Sequence, residues 1–439
     1  MQQPRVSVIG TGYLGAVHAA ALASQGFSVT AVDTDATKIQ GLAAGAPSFY
    51  EPGFEELLAE VLPSGRLEFT DDYAAVADCS VHFLCVGTPQ QVGSNAADLG
   101  AVWSAVEELT PRLAPGSVVA GKSTVPVGTA AAIDDYLAEH GPAGPAAALV
   151  WNPEFLREGF AVADTLQPDR IVVGSRDGLG TEQMRAVYHR QIAAGVPWVE
   201  TDLATAELVK VAANSFLATK ISFVNAMAEV CEATGADVTA LAAAIGYDDR
   251  IGAKFLKAGI GFGGGCLPKD IRAFMARAGE LGVGQALTFL REVDEINLGR
   301  RARAVEMAEQ LAGGDARGQH FAVLGAAFKP ESDDIRDSPA LDIAAGISTR
   351  GGHVVVHDPK ALANARLRYP TLTYADSAAA ALTGADVVLL LTEWDEYRRL
   401  DPIATAELTA GRAIFDGRNV LDRDSWKAAG WTYVGVGRA

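Results

Sequence analysis

The stretch VSVIGTGYLG, residues 6–15, restricts the fold of this chain more than any other. VSVI reads as a buried strand. Gly10, Gly12 and Gly15 follow it in the spacing G-x-G-x-x-G, and the alanine-rich segment AVHAAALASQG behind them reads as a helix. Such glycines permit a tight turn and close approach of a ligand to the backbone. A pyrophosphate can then sit on the unpaired N–H groups at the positive end of the helix. Alone the motif is weak, because many glycine-rich turns are only turns. Here the second strand, SVTAVD, ends at Asp33, about 20 residues on, where a carboxylate accepts from ribose hydroxyls and repels a 2′-phosphate. Together the turn and the carboxylate predict a doubly wound sheet that binds NAD in preference to NADP.

The turn sits in a chain of 439 residues, long enough for more than one core. VHFLCVG and SVVAGKS continue the strand pattern, alternating with amphipathic stretches to about residue 150, as in a parallel sheet covered on both faces. PDRIVVG and VPWVET close that region near residue 200. From Asp202 to Thr234 apolar residues recur at helical spacing, with Gly235 in the stop position, and a second helical stretch is expected over about 268–313. Strand and helix alternation then restarts with FAVLG, HVVVHDP, DVVLLLTEW and AIFDGR. The chain is therefore α/β, and we divide it at 1–200, 201–313 and 314–439. LGAAFKP, at the turn of the last region, lacks the glycine fingerprint, so one dinucleotide site is expected.

A formal net charge of −18 argues against a nucleic-acid partner. Cys79, Cys85, Cys231 and Cys266 show neither metal-ligand spacing nor a disulfide framework, and no metal is expected. No apolar run reaches the roughly 18 residues that span a bilayer. The start, MQQPRVSVIG, has no leader pattern, and the expected location is the cytoplasm.

GFGGGCLPKD, residues 261–270, places Cys266 before Pro268, a favourable first helical residue. Partial positive charge at a helix start, reinforced by Lys269, favours a thiolate, while the neighbouring glycines leave room for a ligand. Against this stands the usual fate of a lone cysteine as a small core residue. In ELVKVAANSF, Lys210 and Asn214 are one turn apart and share a helix face. WNPEFLREG presents Glu154, Arg157 and Glu158 in a loop after a strand, where a ligand at a switch point would lie. A charged surface turn reads the same on composition.

These segments together resemble the UDP-glucose 6-dehydrogenases within the wider nucleotide-sugar dehydrogenases. The resemblance also rests on STVPVGT at 123–129, RIGAKFLKAGIGFGGGCLPKD at 250–270, FKPESDDIRDSP at 328–339, TEWDEY at 392–397 and DGRN at 416–419, and so covers nearly the whole chain. It implies an N-terminal Rossmann domain, a central long-helix region carrying a dimer interface, and a C-terminal Rossmann-like domain that binds UDP. The implied reaction is an NAD-dependent four-electron oxidation of a sugar C6 alcohol to a carboxylate, with two NAD and one water.

The resemblance also implies roles for individual residues. Cys266 is the nucleophile that holds the aldehyde as a thiohemiacetal and then a thioester, Lys210 stabilises oxyanions and Asn214 positions the sugar. Thr124, Glu154 and Asp270 hold and activate water. The implied NAD positions are Gly10, Gly12, Tyr13, Leu14, Gly15, Asp33, Lys38, Thr88, Thr124, Glu158, Lys269 and Arg336. The implied positions for the substrate, UDP-glucose, are Phe155, Leu156, Arg157, Glu158, Lys210, Asn214, Phe255, Leu256, Lys257, Ala258, Gly259, Gly263, Lys329 and Arg418. Arg250 matches an arginine contributed by the partner of a homodimer. Gly265 departs from a common serine, and Ala226, after Asn225, from a usual glutamate. Sister enzymes acting on GDP-mannose or a UDP-N-acetylhexosamine share the chemistry. A binding protein without turnover and a two-electron hydroxyacid dehydrogenase share the cofactor fold.

Overall fold

The strands named from the sequence are short, and most are buried on both faces, so each must be covered above and below by helices. The computed structural model describes residues 3–438. Two compact units emerge: one takes the chain up to Ala213 together with Arg272–Gly282, the other takes Asn214–Ile271 and everything from Val283 on.

The first unit is built on eight strands: β1 (Val6–Ile9), β2 (Val29–Val32), β3 (Leu67–Thr70), β4 (Val81–Leu84), β5 (Val118–Gly121), β6 (Ala148–Trp151), β7 (Ile171–Ser175) and β8 (Trp198–Thr201). Their order is β3-β2-β1-β4-β5-β6-β7-β8. The strand order reverses between β1 and β4, which run parallel, and this makes the switch point of a doubly wound sheet, where a ligand crevice opens beyond the strand ends. Val6 pairs with Val29 on one side and Val81 on the other. The expected all-parallel pattern breaks once, because β7 runs antiparallel to β6, with Val150 opposite Ser175. Strand β3 was not expected; its alternating burial marks an edge strand with one solvated face. The helix Tyr13–Ser24 is buried along most of its length, which its alanines permit because they let it pack close to the sheet. At Gly121 a Cβ would fall 2.1 Å from the Trp151 ring, so the neighbouring strand supplies the bulk there.

The second unit carries β9 (His320–Leu324), β10 (His353–His357), β11 (Thr373–Tyr374), β12 (Val387–Leu390), β13 (Ala413–Asp416) and β14 (Thr432–Gly435), all parallel, in the order β11-β10-β9-β12-β13-β14. It thus repeats the 3-2-1-4-5-6 order of the first unit's leading strands. Strands β11 and β14, absent from the sequence expectation, are its two edges.

The long helix runs Leu203–Thr234, and its first turns belong to the first unit. The expected helical stretch over 268–313 is two helices, Leu267–Glu280 and Phe289–Leu311. Gly282, at φ +74°, ends the first of them in the left-handed conformation that glycine adopts without strain. Among the described residues no helix is long and apolar enough to cross a membrane.

Candidate functional site

The glycine turn has the geometry its spacing predicts. Gly10 has φ +92°, and a Cβ on Gly15 would lie 1.8 Å from the Gly10 carbonyl oxygen, so neither position accepts a side chain. Gly12 has open space where its side chain would be. Asp33, at the end of β2, closes the turn: its Oδ2 accepts from Thr11 N–H at 2.8 Å, Thr11 Oγ1 at 3.1 Å and Lys38 Nζ at 3.0 Å. Burial pushes the Asp33 carboxyl upward, but the N–H donors of Thr11 and Asp35 and the Lys38 ammonium outweigh it and hold the group below its ordinary value. Tyr13 donates to the Tyr50 carbonyl at 2.9 Å, and Thr88 to the Thr124 carbonyl at 2.7 Å. The open space at Gly12, the close turn that Gly10 and Gly15 permit and the fixed anion at Asp33 fit NAD. An Asp33→Asn variant is expected to narrow the preference for NAD over NADP about tenfold, read as the ratio of kcat/KM values for the two cofactors.

The corresponding turn of the second unit is filled from within. Asp358 Oδ2 accepts from the N–H groups of Ala326 and Ala327 at 2.7 and 2.9 Å and from Trp394 Nε1 at 3.1 Å. A buried carboxylate thus takes the N–H groups on which a pyrophosphate would rest.

Two loops of the first unit carry further candidates, and each is held at a helix start by a buried glutamate. Asn152 opens the NPEFLREG loop, its Oδ1 accepting from Lys122 Nζ at 3.1 Å and Tyr188 OH at 2.6 Å. Glu51 closes it, accepting from the N–H groups of Gly159 and Ala161, both at 2.7 Å. Within the loop Glu154 Oε1 accepts from Lys210 Nζ at 3.0 Å and Oε2 from Leu156 N–H at 2.7 Å. The Lys210 ammonium also lies 5.7 Å from the Phe155 ring centre. Glu158 is buried, whereas Arg157 turns to the exposed side and forks onto Asp164.

The Thr124 loop is held by Glu207, which accepts from Gly128 N–H at 2.8 Å and Ala130 N–H at 2.7 Å, and by Arg277 Nε, which donates to Val127 O at 2.9 Å. Glu207 sits three residues before Lys210 on the long helix, so one helix fixes both the loop and the ammonium. Desolvation in this site raises the Glu207 carboxyl in spite of its N–H donors. Glu207→Gln replaces one acceptor oxygen by an NH₂ group facing an N–H. It is expected to lower stability by about 1–3 kcal/mol and kcat about tenfold, checked by thermal melting and steady-state rates.

In the second unit Cys266 is exposed directly before the helix Leu267–Glu280, while Cys79, Cys85 and Cys231 are buried. Asp270 N–H donates to the Cys266 carbonyl at 3.0 Å, so the helical turn forms as expected. Asp270 is buried and accepts from Asn214 Nδ2 at 2.7 Å on one oxygen and from Lys269 Nζ at 2.6 Å on the other. Lys269, expected to support the thiol, therefore pairs with this carboxylate.

The preceding loop is pinned by buried amides. Asn225 Oδ1 accepts from Gly259 N–H at 2.8 Å, and Asn297 satisfies both backbone polar groups of Phe262, accepting from its N–H at 2.7 Å and donating to its carbonyl at 2.9 Å. Leu256 and Ala258 are buried; Phe255, at φ +63°, and Lys257 are exposed. Gly263 lets the Asp337 carbonyl approach to 2.1 Å from where a Cβ would be. Arg418 donates to Leu391 O at 2.7 Å and Gly261 O at 3.3 Å, tying DGRN to the same loop, and Lys329 lies 5.2 Å over the Phe328 ring. Arg250 lies on the surface and pairs with Asp248. Among the described residues no three His, Cys, Asp or Glu side chains are grouped to hold a metal.

Three family models match the chain in order. They are the NAD binding domain of the UDP-glucose/GDP-mannose dehydrogenase family at residues 4–192, its central domain at 204–298 and its UDP binding domain at 322–423. The chain belongs to the UDP-glucose/GDP-mannose dehydrogenase family. It is an NAD-dependent dehydrogenase, and the glycine turn and Asp33 lie in the NAD binding domain. A UDP-glucose 6-dehydrogenase of Rhizobium meliloti is 40% identical over 437 residues, covering 99% of each chain. A solved UDP-glucose dehydrogenase from Pyrobaculum islandicum superimposes with a TM-score of 0.91 at 37% identity, covering 100% of this chain and 98% of its own. A UDP-D-ManNAc dehydrogenase structure from Pyrococcus horikoshii reaches 0.85 at 25% identity, with 99% of both chains covered.

Sequence reasoning missed Glu51, Glu207, Asn225, Asn297 and Asp358. The only local sign was a polar residue inside an apolar helical or strand pattern, as Glu207 and Asn297 are.

Proposed function

We propose that this enzyme oxidises UDP-glucose to UDP-glucuronate with two NAD and one water, through a thioester on Cys266. The observation that carries the reading is the exposed Cys266 at a helix start, one turn from a buried carboxylate that Asn214 and Lys269 hold in place. The full-length identity of 40% to the Rhizobium meliloti enzyme supports the choice of sugar nucleotide.

In the first oxidation the C6 alcohol loses a hydride and its hydroxyl proton and becomes an aldehyde. NAD, when bound, accepts the hydride in each oxidation. The Cys266 sulfur adds to the aldehyde carbon to give a thiohemiacetal, which prevents release of the aldehyde. Loss of a second hydride and the hydroxyl proton leaves the thioester, and water then cleaves the carbon–sulfur bond to give the acid and return the thiol. Lys210 stabilises the oxyanions of these steps and Asn214 positions the sugar. Thr124, Glu154 and Asp270 hold and activate the water. Lys329 and Arg418 supply fixed positive charge for the nucleotide within a chain whose net charge is −18. Residues 1–200 serve NAD, 201–313 the cysteine loop and subunit contact, and 314–439 UDP.

Phe216, Phe223 and Val230 are exposed and seven residues apart on the long helix, so they form one apolar stripe. A second copy covers this stripe in a homodimer to which Arg250 contributes. Four cysteines outside any disulfide fit the reducing cytoplasm. The test is NADH yield per UDP-glucose consumed. Two are expected, whereas one, or strong turnover of GDP-mannose with none of UDP-glucose, overturns the assignment.

A further inference from the structure

Arg336 lies against the residue that precedes the thiol, and it does so because that residue is Gly265. A Cβ at Gly265 would fall 2.2 Å from Arg336 Cζ and 2.5 Å from both terminal nitrogens. No side chain fits there without displacing the guanidinium. The arrangement is braced on several sides. Gly264 N–H donates to the Arg336 carbonyl at 2.8 Å, and a Cβ on Gly264, at φ +83°, would fall 2.7 Å from the Phe328 ring. Buried Asp334 takes Nε at 2.9 Å and Nη2 at 2.7 Å in a fork that fixes the plane of the guanidinium.

We infer that Arg336, admitted by Gly265, is the cation that holds Cys266 in its reactive thiolate form. Lys269 does not supply that charge, since its ammonium lies 2.6 Å from Asp270 Oδ1. The charged groups on the two segments that meet here are Lys269 and Asp270 on the thiol's own helix and Lys329, Glu331, Asp333, Asp334, Arg336 and Asp337 from residues 328–338, of which the Arg336 guanidinium is the one set against Gly265. Lys269 and Asp270 form a matched pair. In the Arg336–Asp334 pair, the three atoms nearest the Gly265 Cβ position all belong to the guanidinium, so the positive end faces the residue next to the cysteine. Consecutive Cα atoms are about 3.8 Å apart, which puts that charge within roughly 8 Å of the Cys266 Cα, where a cation still biases an ionisation. The helix start adds to it in the same direction. Arg336 is thus a positioning residue that acts through Cys266, and this role rests on the reading of Cys266 as the nucleophile.

Alkylation by iodoacetamide as a function of pH, without substrate or NAD, reads the thiol directly. Cys266 is the one exposed cysteine of the four, and Cys266→Ala supplies the blank. Arg336→Gln and Gly265→Ser are each expected to slow alkylation at neutral pH about three- to tenfold and to regain the wild-type rate at high pH, with Arg336→Lys between. The Arg336 side chain is exposed, so Arg336→Gln tests the inference even if Gly265→Ser does not fold. A profile for Arg336→Gln that superimposes on the wild type overturns the role of Arg336 whatever the turnover. Full turnover by Cys266→Ala instead removes the nucleophile reading on which it rests.

Discussion

A Cys266→Ser variant is expected to lose at least about a thousandfold in formation of the sugar acid while keeping its fold. Serine fits the space but is un-ionised at neutral pH, so the helix start and nearby cations have no thiolate to stabilise. No other cysteine can substitute. Burial pushes the Cys85 thiol up to about 12, and burial raises Cys79 as well. Any oxygen ester that does form hydrolyses more slowly than a thioester, so the variant stalls at an ester or at the aldehyde. NADH yield should drop from two per UDP-glucose toward one or less, and intact-protein mass should show either the bare chain or a stable sugar adduct. Wild-type turnover by the serine variant would sink the covalent mechanism, since a hydroxyl at that pKa cannot match the thiol. The control is thermal melting, which should move little because residue 266 is exposed.

Sequence alone carried the fold and the glycine turn of the NAD binding domain, because those signals are local. VSVIGTGYLG and Asp33 lie within one strand-helix-strand unit, and the relation between them is a spacing. The switch from alternating strands to the long helix is a change of period over thirty residues, which a sequence displays directly. What sequence did not display is what depends on distant partners. Glu51 meets Gly159 across 108 residues, and Glu207 meets Gly128 across 79. A glutamate on the polar side of a helix looks the same whether it faces water or caps another helix. The edge strands β3, β11 and β14 escaped because an edge buries only part of its surface, so the apolar run that marks β4 or β12 is absent. The antiparallel β7 escaped because strand direction is set by the path of the chain and not by composition. Lys269 illustrates the limit most directly. Its position in sequence puts a cation beside Cys266, but Asp270, one residue on, is the better partner for an ammonium on a short tether.

Lys210→Met is expected to lower kcat by two to three orders of magnitude, about the loss that follows removal of a single preorganised oxyanion-stabilising donor. Methionine keeps the length and apolar stem of lysine, so the long helix and the Phe155 contact survive while the charge goes. Two effects then act in the same direction. The Glu154 carboxylate loses its partner at 3.0 Å in a largely buried setting, which frees the NPEFLREG loop at its middle even though Asn152 and Glu51 still hold its ends. The oxyanion of each step also loses its fixed cation. The two separate experimentally. Glu154→Gln removes the ion pair but leaves the ammonium, so it should lower turnover less than Lys210→Met if the ammonium serves the oxyanion directly. Equal losses in the two variants would mean that the Glu154 carboxylate, which also holds the water, matters as much as the ammonium. Lys210→Arg keeps the charge but places it on a planar fork in a site shaped for an ammonium, so only partial rescue is expected. The measurement is kcat and KM for UDP-glucose in all three variants. The loss should fall on kcat, since an interaction that strengthens only as negative charge develops on oxygen leaves ground-state binding nearly unchanged.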